Sequence, residues 1–387
     1  MGARGFDLSL EILARHSQKL HINLCSKMTF MSSLKDAVAD ISAGRFAAAL
    51  EKLERIISQG DSSWRPQLLM AIVSAELGDA ALAAQFYSTC IALNQDLANF
   101  RFEDGLLKQV GKYTESSAMK MLWHNYHKIT EADALIISYP KCGRTWLRMQ
   151  LSKALTESFR LDLTDTVTLE VERFPEFDGG IPRIEFSHDD NPHWKLTQDV
   201  VTDKAAYRDK TVILLLRDPR DVIVSYYFQY TKRGDKKIAN DVNFAGSVDD
   251  FAFHKIGGLA NIVRFYNVWC AAAKTMPGVM LVRYEDMHSR PLDTLRAIID
   301  HIGLSNIGDA HLQTAVDYCE FDKMRRYEET NKFKNARLYN DQSSDPEALK
   351  TRKGVIGGYR EYLSDESVRR INAYLADNLS EQLWFYK

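Results

Sequence analysis

The sequence predicts an α/β protein with a P-loop-like central parallel sheet flanked by helices, preceded by a small all-α region of helical repeats. From residue 32 to about residue 99 the pattern is helical, with no strand-like alternation. After Tyr113, short apolar runs alternate with helical stretches: ALIISY (134–139), TVILLLR (211–217) and VMLVRYE (279–285). Near-continuous apolar strands separated by helices are typical of a buried parallel sheet.

Composition and charge favour an ordinary globular chain. The 387 residues are enough for two or three domains, and 45% hydrophobic with 26% charged residues excludes a collagenous or wholly disordered chain. Lysine and arginine total 50 against 52 aspartate and glutamate, a net charge of −2. No global positive field therefore favours nucleic acid as a partner, and any anion site must be local.

Cysteine usage and hydropathy indicate where the chain resides. The 5 cysteines are scattered and form no C-x-x-C pair, which favours a reducing compartment over a disulfide framework or a structural zinc site. No apolar run approaches the roughly 20 residues that cross a bilayer. We therefore expect a cytoplasmic protein without a membrane segment, and the absence of spaced His/Cys motifs predicts no metal site.

The helical region contains a possible internal repeat. Gly44-Arg45-Phe46 before AAALEKLERII recurs as Gly78-Asp79-Ala80 before ALAAQFYSTCIAL, and 78 − 44 = 34 residues is the tetratricopeptide period. The small residues Ala49 and Ala83 follow each glycine by five positions, where paired helices approach closely. Either this is a short tetratricopeptide-like array or a four-helix appendage whose period arises by chance.

These patterns give three predicted segments: a tail (1–30), a tetratricopeptide-like helical region (31–105) and the α/β domain (106–387). Repeats of this kind are usually stable in stacks of three or more. We therefore expect the helical region to dock on the main domain, to bind a protein partner or to self-associate.

The most informative segment follows the first predicted strand. Tyr139-Pro140-Lys141-Cys142-Gly143-Arg144-Thr145-Trp146 leads into an amphipathic helix, LRMQLSKAL. A strand, a glycine-containing turn and a helix N-terminus gather unpaired backbone N–H groups that bind anions, and Lys141 adds a positive charge. The lysine precedes the glycine, so the segment is not the Walker A sequence of nucleotide-binding P-loops.

Y-P-K-x-G-x-T-W resembles the signature of the sulfotransferases that use 3′-phosphoadenosine 5′-phosphosulfate (PAPS). The resemblance implies that Lys141 neutralises charge on the bridging oxygen of the donor. It implies that the backbone of residues 143–145, including Gly143, and the Thr145 hydroxyl bind phosphate, and that Trp146 lies against the adenine. Arg144 replaces a small hydroxyl residue, and either adds a donor to the phosphate or points away from it.

A second segment, Arg217-Asp218-Pro219-Arg220-Asp221 to Ser225, joins a predicted strand to a helix. On its own it is an ordinary strand-to-helix connection. It resembles the family's R-[DN]-P-[RK]-D-x-x-x-S element, which implies that Arg217 and Ser225 bind the donor's 3′-phosphate. A planar guanidinium suits two-pronged binding of phosphate.

A third segment, Arg352-Lys353-Gly354-Val355-Ile356-Gly357-Gly358-Tyr359, is similar to the family's R-K-G-x-x-G-D-W. A short basic glycine-containing loop is usually a solvated turn. Its place after the other two motifs in the family order implies that Arg352, Lys353 and Gly354 bind the 3′-phosphate. Gly358 and Tyr359 replace the usual Asp-Trp.

Two further matches imply contacts with the adenine. Tyr284, in Val282-Arg283-Tyr284-Glu285-Asp286-Met287, resembles the tyrosine of Y-E-D-[LM]. Cys319, in CEFDKM, stands where the family's T-S-F-x-x-M element has a threonine. Without the resemblance, Tyr284 would be interpreted as a core aromatic residue and Cys319 as a small buried one.

The catalytic base is predicted to be a histidine, because sulfuryl transfer requires the acceptor to lose a proton and histidine suits that role at neutral pH. His188, in EFSHDD, resembles the family's T-H segment, and His193 lies only five residues away as an alternative. The lysine often found two residues before the catalytic histidine is Phe186 here.

The implied reaction is an in-line displacement, in which His188 takes the acceptor's proton and Lys141 stabilises the departing phosphate, with no metal. Two other functions remain open at this stage. A P-loop kinase-like phosphotransferase is disfavoured by the position of Lys141. A tetratricopeptide adaptor with an inactive sulfotransferase-like domain is disfavoured by the presence of both Lys141 and His188.

The acceptor is expected to be a small molecule bound by residues 174–194 and 229–258. These segments mix aromatic residues with many acids: Glu172, Glu176, Asp178, Asp189, Asp190, Asp235, Asp249 and Asp250. The acids either belong to solvated loops or complement a cationic or polyhydroxylated acceptor.

Overall fold

The computed structural model describes residues 33–94, 110, 113, 116, 119, 128–233, 244–339 and 345–387. The chain divides into two compact units, Met1–His127 and Lys128–Lys387. The predicted boundaries at residues 30 and 105 lie outside the described residues and stay predictions.

The described residues of the first unit form helices and turns without strands, as predicted. Its helices span 33–42, Phe46–Ser58, Trp64–Glu76 and Ala80–Leu93. Phe46–Ser58 packs on Trp64–Glu76, which packs on Ala80–Leu93. Trp64–Glu76 is the central helix of the three, since an uninterrupted run of its side chains is buried.

The two glycines of the 34-residue period separate helices. Gly44 and Gly78 have φ angles of +74° and +84°, a left-handed conformation that glycine adopts at little cost where a helix ends. The four spaced positions that follow them are buried: Ala49, Leu53, Ala83 and Tyr87. The tetratricopeptide interpretation and the expected protein partner or self-association remain predictions.

The second unit is built on a four-stranded parallel sheet. Its strands are β1 (Ala134–Ser138), β2 (Ile184–Ser187), β3 (Thr211–Leu216) and β4 (Val279–Arg283), in the order β2-β1-β3-β4. β1, β3 and β4 confirm the three predicted strands. β2 was not identified from the sequence, because four residues with a glutamate and a serine among them form a weak strand pattern.

Nine α-helices that are described over their full length flank this sheet. They are Arg144–Phe159, Pro219–Lys232, Val248–Ala252, Leu259–Ala273, Tyr284–Ser289, Pro291–His301, Asp309–Tyr318, Phe321–Glu329 and Asp365–Asn378. The two central strands are almost completely buried, with their apolar side chains in one core that includes Trp269 and Phe265. This is the predicted α/β architecture.

The sheet brings the informative segments to one edge. β1 and β3 run parallel in register from Ala134 beside Thr211 to Ser138 beside Leu215, so the loops after both strands leave the sheet side by side. β4 continues the same register beside β3. Ligands of such sheets bind at the carboxyl ends of the strands.

In the described ranges the four cysteines, Cys90, Cys142, Cys270 and Cys319, form no disulfide. None of the helices there has the length and apolar character needed to cross a bilayer.

Candidate active site

A cavity of about 410 Å³ lies at the carboxyl ends of the strands. Residues from all the predicted motifs line it: Pro140, Lys141, Gly143, Arg144, Thr145, Trp146, His188, Arg217, Ser225, Tyr284, Cys319 and Gly354. The fold therefore brings together segments that are separated by more than 200 residues in the sequence.

The turn after β1 is shaped for a close approach of backbone to ligand. Gly143 has a φ of +93°, and a Cβ at this position would lie 2.5 Å from Cδ2 of Tyr284. Both the backbone conformation and the space therefore require glycine here. Lys141 is also left-handed, with a φ of +73°. The turn leads directly into the helix Arg144–Phe159, whose first N–H groups have no partner within the helix.

Lys141 is a half-buried lysine with a weak partner. Its Nζ donates to Oε1 of Gln229 at 3.2 Å. Burial, together with the positive charges of Arg233 and Lys350, lowers the pKa of the Lys141 amine to about 7. An anion bound beside it would favour the protonated form.

Arg217 joins the first and third motifs. Its Nη1 donates to the carbonyl oxygen of Lys141 at 3.2 Å, and its Nη2 donates to the carbonyl oxygen of Val355 at 3.2 Å. Its guanidinium lies over the ring of Tyr284, with 4.2 Å from Cζ to the ring centroid. Its Nε is buried and has no hydrogen-bond partner, so this N–H is available to a ligand.

The third motif only partly reaches the cavity. Gly354 lines the wall with a φ of +64°, and a Cβ there would lie 2.3 Å from the ring of Phe321. Arg352 and Lys353 are not on the wall. Nη1 of Arg352 donates to the hydroxyl of Tyr362 at 2.6 Å and to Glu347 at 3.2 Å, and Lys353 pairs with Glu361. Neighbouring carboxylates thus hold both cations away from the cavity.

Aromatic rings form the end of the cavity where the adenine was predicted. The Trp146 and Tyr284 ring centroids are 5.7 Å apart, and His288 lies 4.6 Å from Trp146. Nε1 of Trp146 donates to the carbonyl oxygen of Cys319 at 2.9 Å. Cys319 thus contributes its backbone oxygen, and burial raises the pKa of its thiol well above the ordinary value.

The hydrogen bonds of His188 define its tautomer. Nδ1 lies 2.8 Å from the carbonyl oxygen of Ser138, which can only accept, so Nδ1 carries the proton. Nε2 lies 2.6 Å from Nη2 of Arg144, which can only donate, so Nε2 is the acceptor. Burial, followed by the charge of Arg144 and the proximity of His193, holds the pKa of His188 well below its usual value.

His193 lies in the same cavity, with 5.2 Å between its ring centroid and that of His188. Burial, then the charge of Arg144, lowers its pKa to about 3. Its Nδ1 is buried and has no hydrogen-bond partner. The structure brings both candidate bases together, and only His188 has an orienting bond that fixes its tautomer.

The chain between the two histidines is tightly constrained. Three consecutive residues, Asp189, Asp190 and Asn191, have φ angles of +50° to +64°. Asp189 is buried and accepts hydrogen bonds from Tyr207 and Trp269, each at 2.8 Å, while Lys204 lies 2.7 Å away. This anchored turn returns His193 to the side of His188.

Arg144 lines the cavity and contacts His188, and its predicted part in binding the phosphate stays a prediction. Its Nη1 is buried without a hydrogen-bond partner. Burial, followed by the charge of Arg148, lowers the pKa of its guanidinium to about 9, so it is protonated at neutral pH.

The acidic residues expected to line the acceptor pocket do not lie on the described wall. Most neutralise or cap neighbouring groups: Glu172 pairs with Arg148, Glu176 with Arg173, Asp190 with Lys195, and Asp250 caps a helix. Asp178 and Asp249 accept backbone N–H bonds, Asp189 is in its buried network, and Asp235 lies outside the described residues. The wall instead holds Asn191, His193, Trp194, Tyr226 and Gln229.

Charge and unpartnered atoms define what fits this cavity. Among the described lining residues four are lysine or arginine (Lys141, Arg144, Arg217, Lys350) and none is aspartate or glutamate. Buried side-chain nitrogens without hydrogen-bond partners occur on five of them: Arg144, His193, Trp194, Arg217 and His288. Buried polar groups are normally paired, so this wall suits a polar, multiply charged anion.

Several lining residues were not predicted. Gln229 and His288 each lie four positions after a predicted residue, Ser225 and Tyr284, on the same helix. Because residues i and i+4 lie on the same face of a helix, both could have been predicted from Ser225 and Tyr284. Phe321 and Met324 lie at the start of the helix Phe321–Glu329, in the segment compared with T-S-F-x-x-M, whereas Leu338, Lys350 and Thr351 come from connections whose path the sequence pattern does not indicate. The described residues contain no cluster of three or more His, Cys, Asp or Glu suited to a metal ion.

The fold and the site define an α/β protein whose cavity is suited to an anion and contains two histidines with lowered pKa values. The family model for the sulfotransferase domain matches residues 131–382, and the chain belongs to this family. Membership confirms the resemblance drawn from the motifs and supports sulfuryl transfer in general.

Individual relatives are distant. The chain is 22% identical to flavonol 3-sulfotransferase of Flaveria bidentis over 315 residues, covering 75% of this chain and 94% of that one. It is 22% identical to cytosolic sulfotransferase 16 of Arabidopsis thaliana, covering 79% and 94%. A crystal structure of mouse sulfotransferase SULT7A1 complexed with PAP matches with a TM-score of 0.44 and 19% identity, covering 65% of this chain and 86% of that one.

Arg144 and Arg148 lie one helical turn apart, and comparing their variants tests whether the charge of Arg144 lacks a compensating partner. Arg148 donates to Glu172 at 2.5 Å and to the carbonyl oxygen of Leu169 at 3.0 Å, whereas Arg144 has no carboxylate partner among the described residues. We expect Arg148→Met to lower the free energy of unfolding by about 1–3 kcal/mol, because the buried carbonyl of Leu169 loses its donor and Glu172 keeps only Arg337 as an ion-pair partner. Arg144→Met should leave it unchanged or raise it, because a buried cation without a counter-charge is removed. Thermal and urea unfolding measure both, and an equal loss in the two variants would contradict this account of Arg144.

Proposed function

We propose that this protein transfers a sulfuryl group from PAPS to a hydroxyl (or amine) of a small-molecule acceptor, with His188 as the general base. One observation carries the proposal: the anion-binding turn, Arg217 and the Trp146–Tyr284 pair share one cavity with a histidine whose tautomer is fixed. Turn and cations would hold the phosphates, and the aromatic end would hold the adenine.

Each group has a role that its surroundings support. Lys141 and the N–H groups of residues 143–145 would bind the 5′-phosphosulfate, and the Thr145 hydroxyl lines the same wall. Arg217 and Ser225 would bind the 3′-phosphate, and Gly354 lets the third loop approach it. Arg352 and Lys353 would join them only by leaving Glu347 and Glu361.

The reaction would be an in-line displacement. The acceptor oxygen bonds to sulfur as the bond from sulfur to the bridging oxygen breaks, and the acceptor proton passes to Nε2 of His188. Protonated Lys141 would stabilise charge on the departing 5′-phosphate of adenosine 3′,5′-bisphosphate (PAP).

The acceptor side favours one of the two classes named from the sequence. The described wall near the histidines offers aromatic rings, an amide and imidazoles but no carboxylate, so it suits a polyhydroxylated aromatic molecule better than a cation. Three relatives carry flavonol sulfotransferase names, which is consistent with this class.

The donor site is tested by calorimetric titration with PAP in metal-free buffer. We expect binding to the wild type, and a rise in Kd of at least about tenfold in Arg217→Ala because charge-assisted hydrogen bonds to phosphate are lost. Arg208→Ala, at an exposed arginine that does not line this cavity, is the control and should leave Kd unchanged. A folded wild type that does not bind PAP would overturn the proposal and favour an adaptor with an inactive domain.

Donor binding should take up a proton at Lys141. The pKa of the free amine is about 7, so the amine is mostly neutral at pH 8, and a bound phosphate raises that pKa. At pH 8, where phosphate monoesters are already fully ionised, calorimetry in buffers of different ionisation enthalpy should show uptake of roughly one proton, and affinity should weaken as the pH rises above 7. Lys141→Met should abolish the uptake, and Lys153→Met, outside the cavity, should retain it.

Matched variants of His188 and His193 test which of the two histidines is the general base. With labelled PAPS and a panel of phenols and polyhydroxylated aromatic acceptors, His188→Asn should reduce kcat by roughly 10²- to 10⁴-fold, the usual contribution of a general base, with the Kd for PAP little changed. His193→Asn should have the smaller effect, because its Nδ1 lacks an orienting partner. The reverse order would make His193 the base.

A further inference from the structure

The hydrogen bond between Arg144 and His188 blocks the very atom that the proposed reaction needs. With Nδ1 protonated and bonded to Ser138, Nε2 is the nitrogen of His188 that can accept a proton. Nη2 of Arg144 lies 2.6 Å from it. While this bond is in place, an acceptor hydroxyl cannot pass its proton to His188.

The same guanidinium lacks a counter-charge. No carboxylate pairs with Arg144 among the described residues, and its second terminal nitrogen, Nη1, is buried without a hydrogen-bond partner. A neutral imidazole compensates a buried cation poorly, whereas a phosphate or sulfate oxygen pairs with guanidinium by charge-assisted hydrogen bonds. An anion in this cavity would therefore compete strongly with His188 for Arg144.

Arg144 is also placed where the anion is expected. It is the first residue of the helix that follows the Lys141–Gly143 turn, and it lines the cavity together with Lys141 and His188. A helix N-terminus that follows a glycine turn is a preferred position for phosphate. One side chain thus lies between the donor's anionic end and the base.

We propose that Arg144 makes the base available only after the donor has bound: the anionic end of the donor draws the guanidinium away from His188 and frees Nε2 to take the acceptor's proton. This inference rests on the proposed function. Arg144 is then a positioning residue for His188, and the donor must bind before the acceptor can be deprotonated.

The test measures the chemical reactivity of His188 directly. Diethyl pyrocarbonate acylates the unprotonated imidazole nitrogen, and peptide mass spectrometry gives a separate rate for each histidine. Rates are measured on the full chain without ligand, with saturating PAP, and with saturating PAPS in the absence of acceptor. His193 is the internal control, because it shares the cavity but has no bond to Arg144.

In the wild type we expect His188 to react slowly without ligand, and at least about tenfold faster with PAP or PAPS, the ratio corresponding to loss of a hydrogen bond to a charged group. His193 should not accelerate. A gain with PAPS alone assigns Arg144 to the sulfuryl oxygens, and a gain with both ligands assigns it to the 5′-phosphate.

Two variants at Arg144 make the result specific. Arg144→Met keeps the length of the side chain but cannot donate, so His188 should react fast without ligand and gain nothing from PAP or PAPS. Arg144→Lys keeps the charge and a donor, and should restore part of the ligand dependence. Thermal unfolding checks that both variants are folded.

The outcomes that overturn the inference differ from those that overturn the proposed function. Binding of both PAP and PAPS with His188 reactivity unchanged or reduced in each complex, equal acceleration of His188 and His193, or wild-type behaviour in Arg144→Met would overturn the role of Arg144 alone. Absence of PAP binding to the folded wild type would overturn the proposed function and the inference with it.

Discussion

The geometry of the candidate site depends on Arg217, whose guanidinium binds backbone carbonyls of two loops that are far apart in the sequence. It donates to Lys141 in the loop after β1 and to Val355 in the third motif. Asp221, one helical turn further on, accepts the N–H groups of Gly357 and Tyr359 at 2.8 and 3.0 Å. One strand end and the helix that follows it thus fix both loops around the cavity. Because the carbonyls occupy Nη1 and Nη2 and leave Nε unpartnered, the same residue both supports the site and keeps a donor for a ligand.

Burial affects the protonation of the lysine and of the two histidines in the cavity in ways that suit different chemical roles. Burial disfavours the charged form of each group, so the two imidazoles are neutral and the amine of Lys141 has a pKa near 7. A neutral imidazole is a proton acceptor, and a lysine that gains its charge when an anion arrives is a stabiliser of that anion. Under the proposed function, the same low polarity would supply a base on the acceptor side and an electrophilic group on the donor side, without a carboxylate on the described wall.

Much of the fold and most of the site could be predicted from the sequence. The strands β1, β3 and β4 are uninterrupted apolar runs, which the sequence pattern identifies. The turns after β1 and β3 contain residues that suit few other positions. A Cβ at Gly143 would clash with Tyr284, and Pro219 stands in the first turn of a helix shortly after an arginine. The strand β2 was missed because it is four residues long. The acids around the acceptor side were placed by proximity in sequence, and the pair Arg352–Lys353 by the resemblance of the third motif. In the structure, each of these residues that is described is bound by a neighbour of opposite charge or by backbone N–H groups. Such pairing depends on tertiary contacts that no local pattern records.

Arg144 shows the limit of motif reasoning most clearly. Its place in the motif indicated an anion-binding turn but not the direction of its side chain, since the contact with His188 joins residues 44 positions apart through a strand that was not identified. In its place a small hydroxyl residue would leave Nε2 of His188 open whether or not a ligand is present. An arginine adds a buried charge that the described protein residues do not compensate, which stabilises a bound anion at the expense of the free state. The free-energy cost of the buried Arg144 charge in the unliganded protein and its control over the availability of Nε2 of His188 would then have one physical origin. The guanidinium has a poor hydrogen-bond partner until the donor supplies a better one.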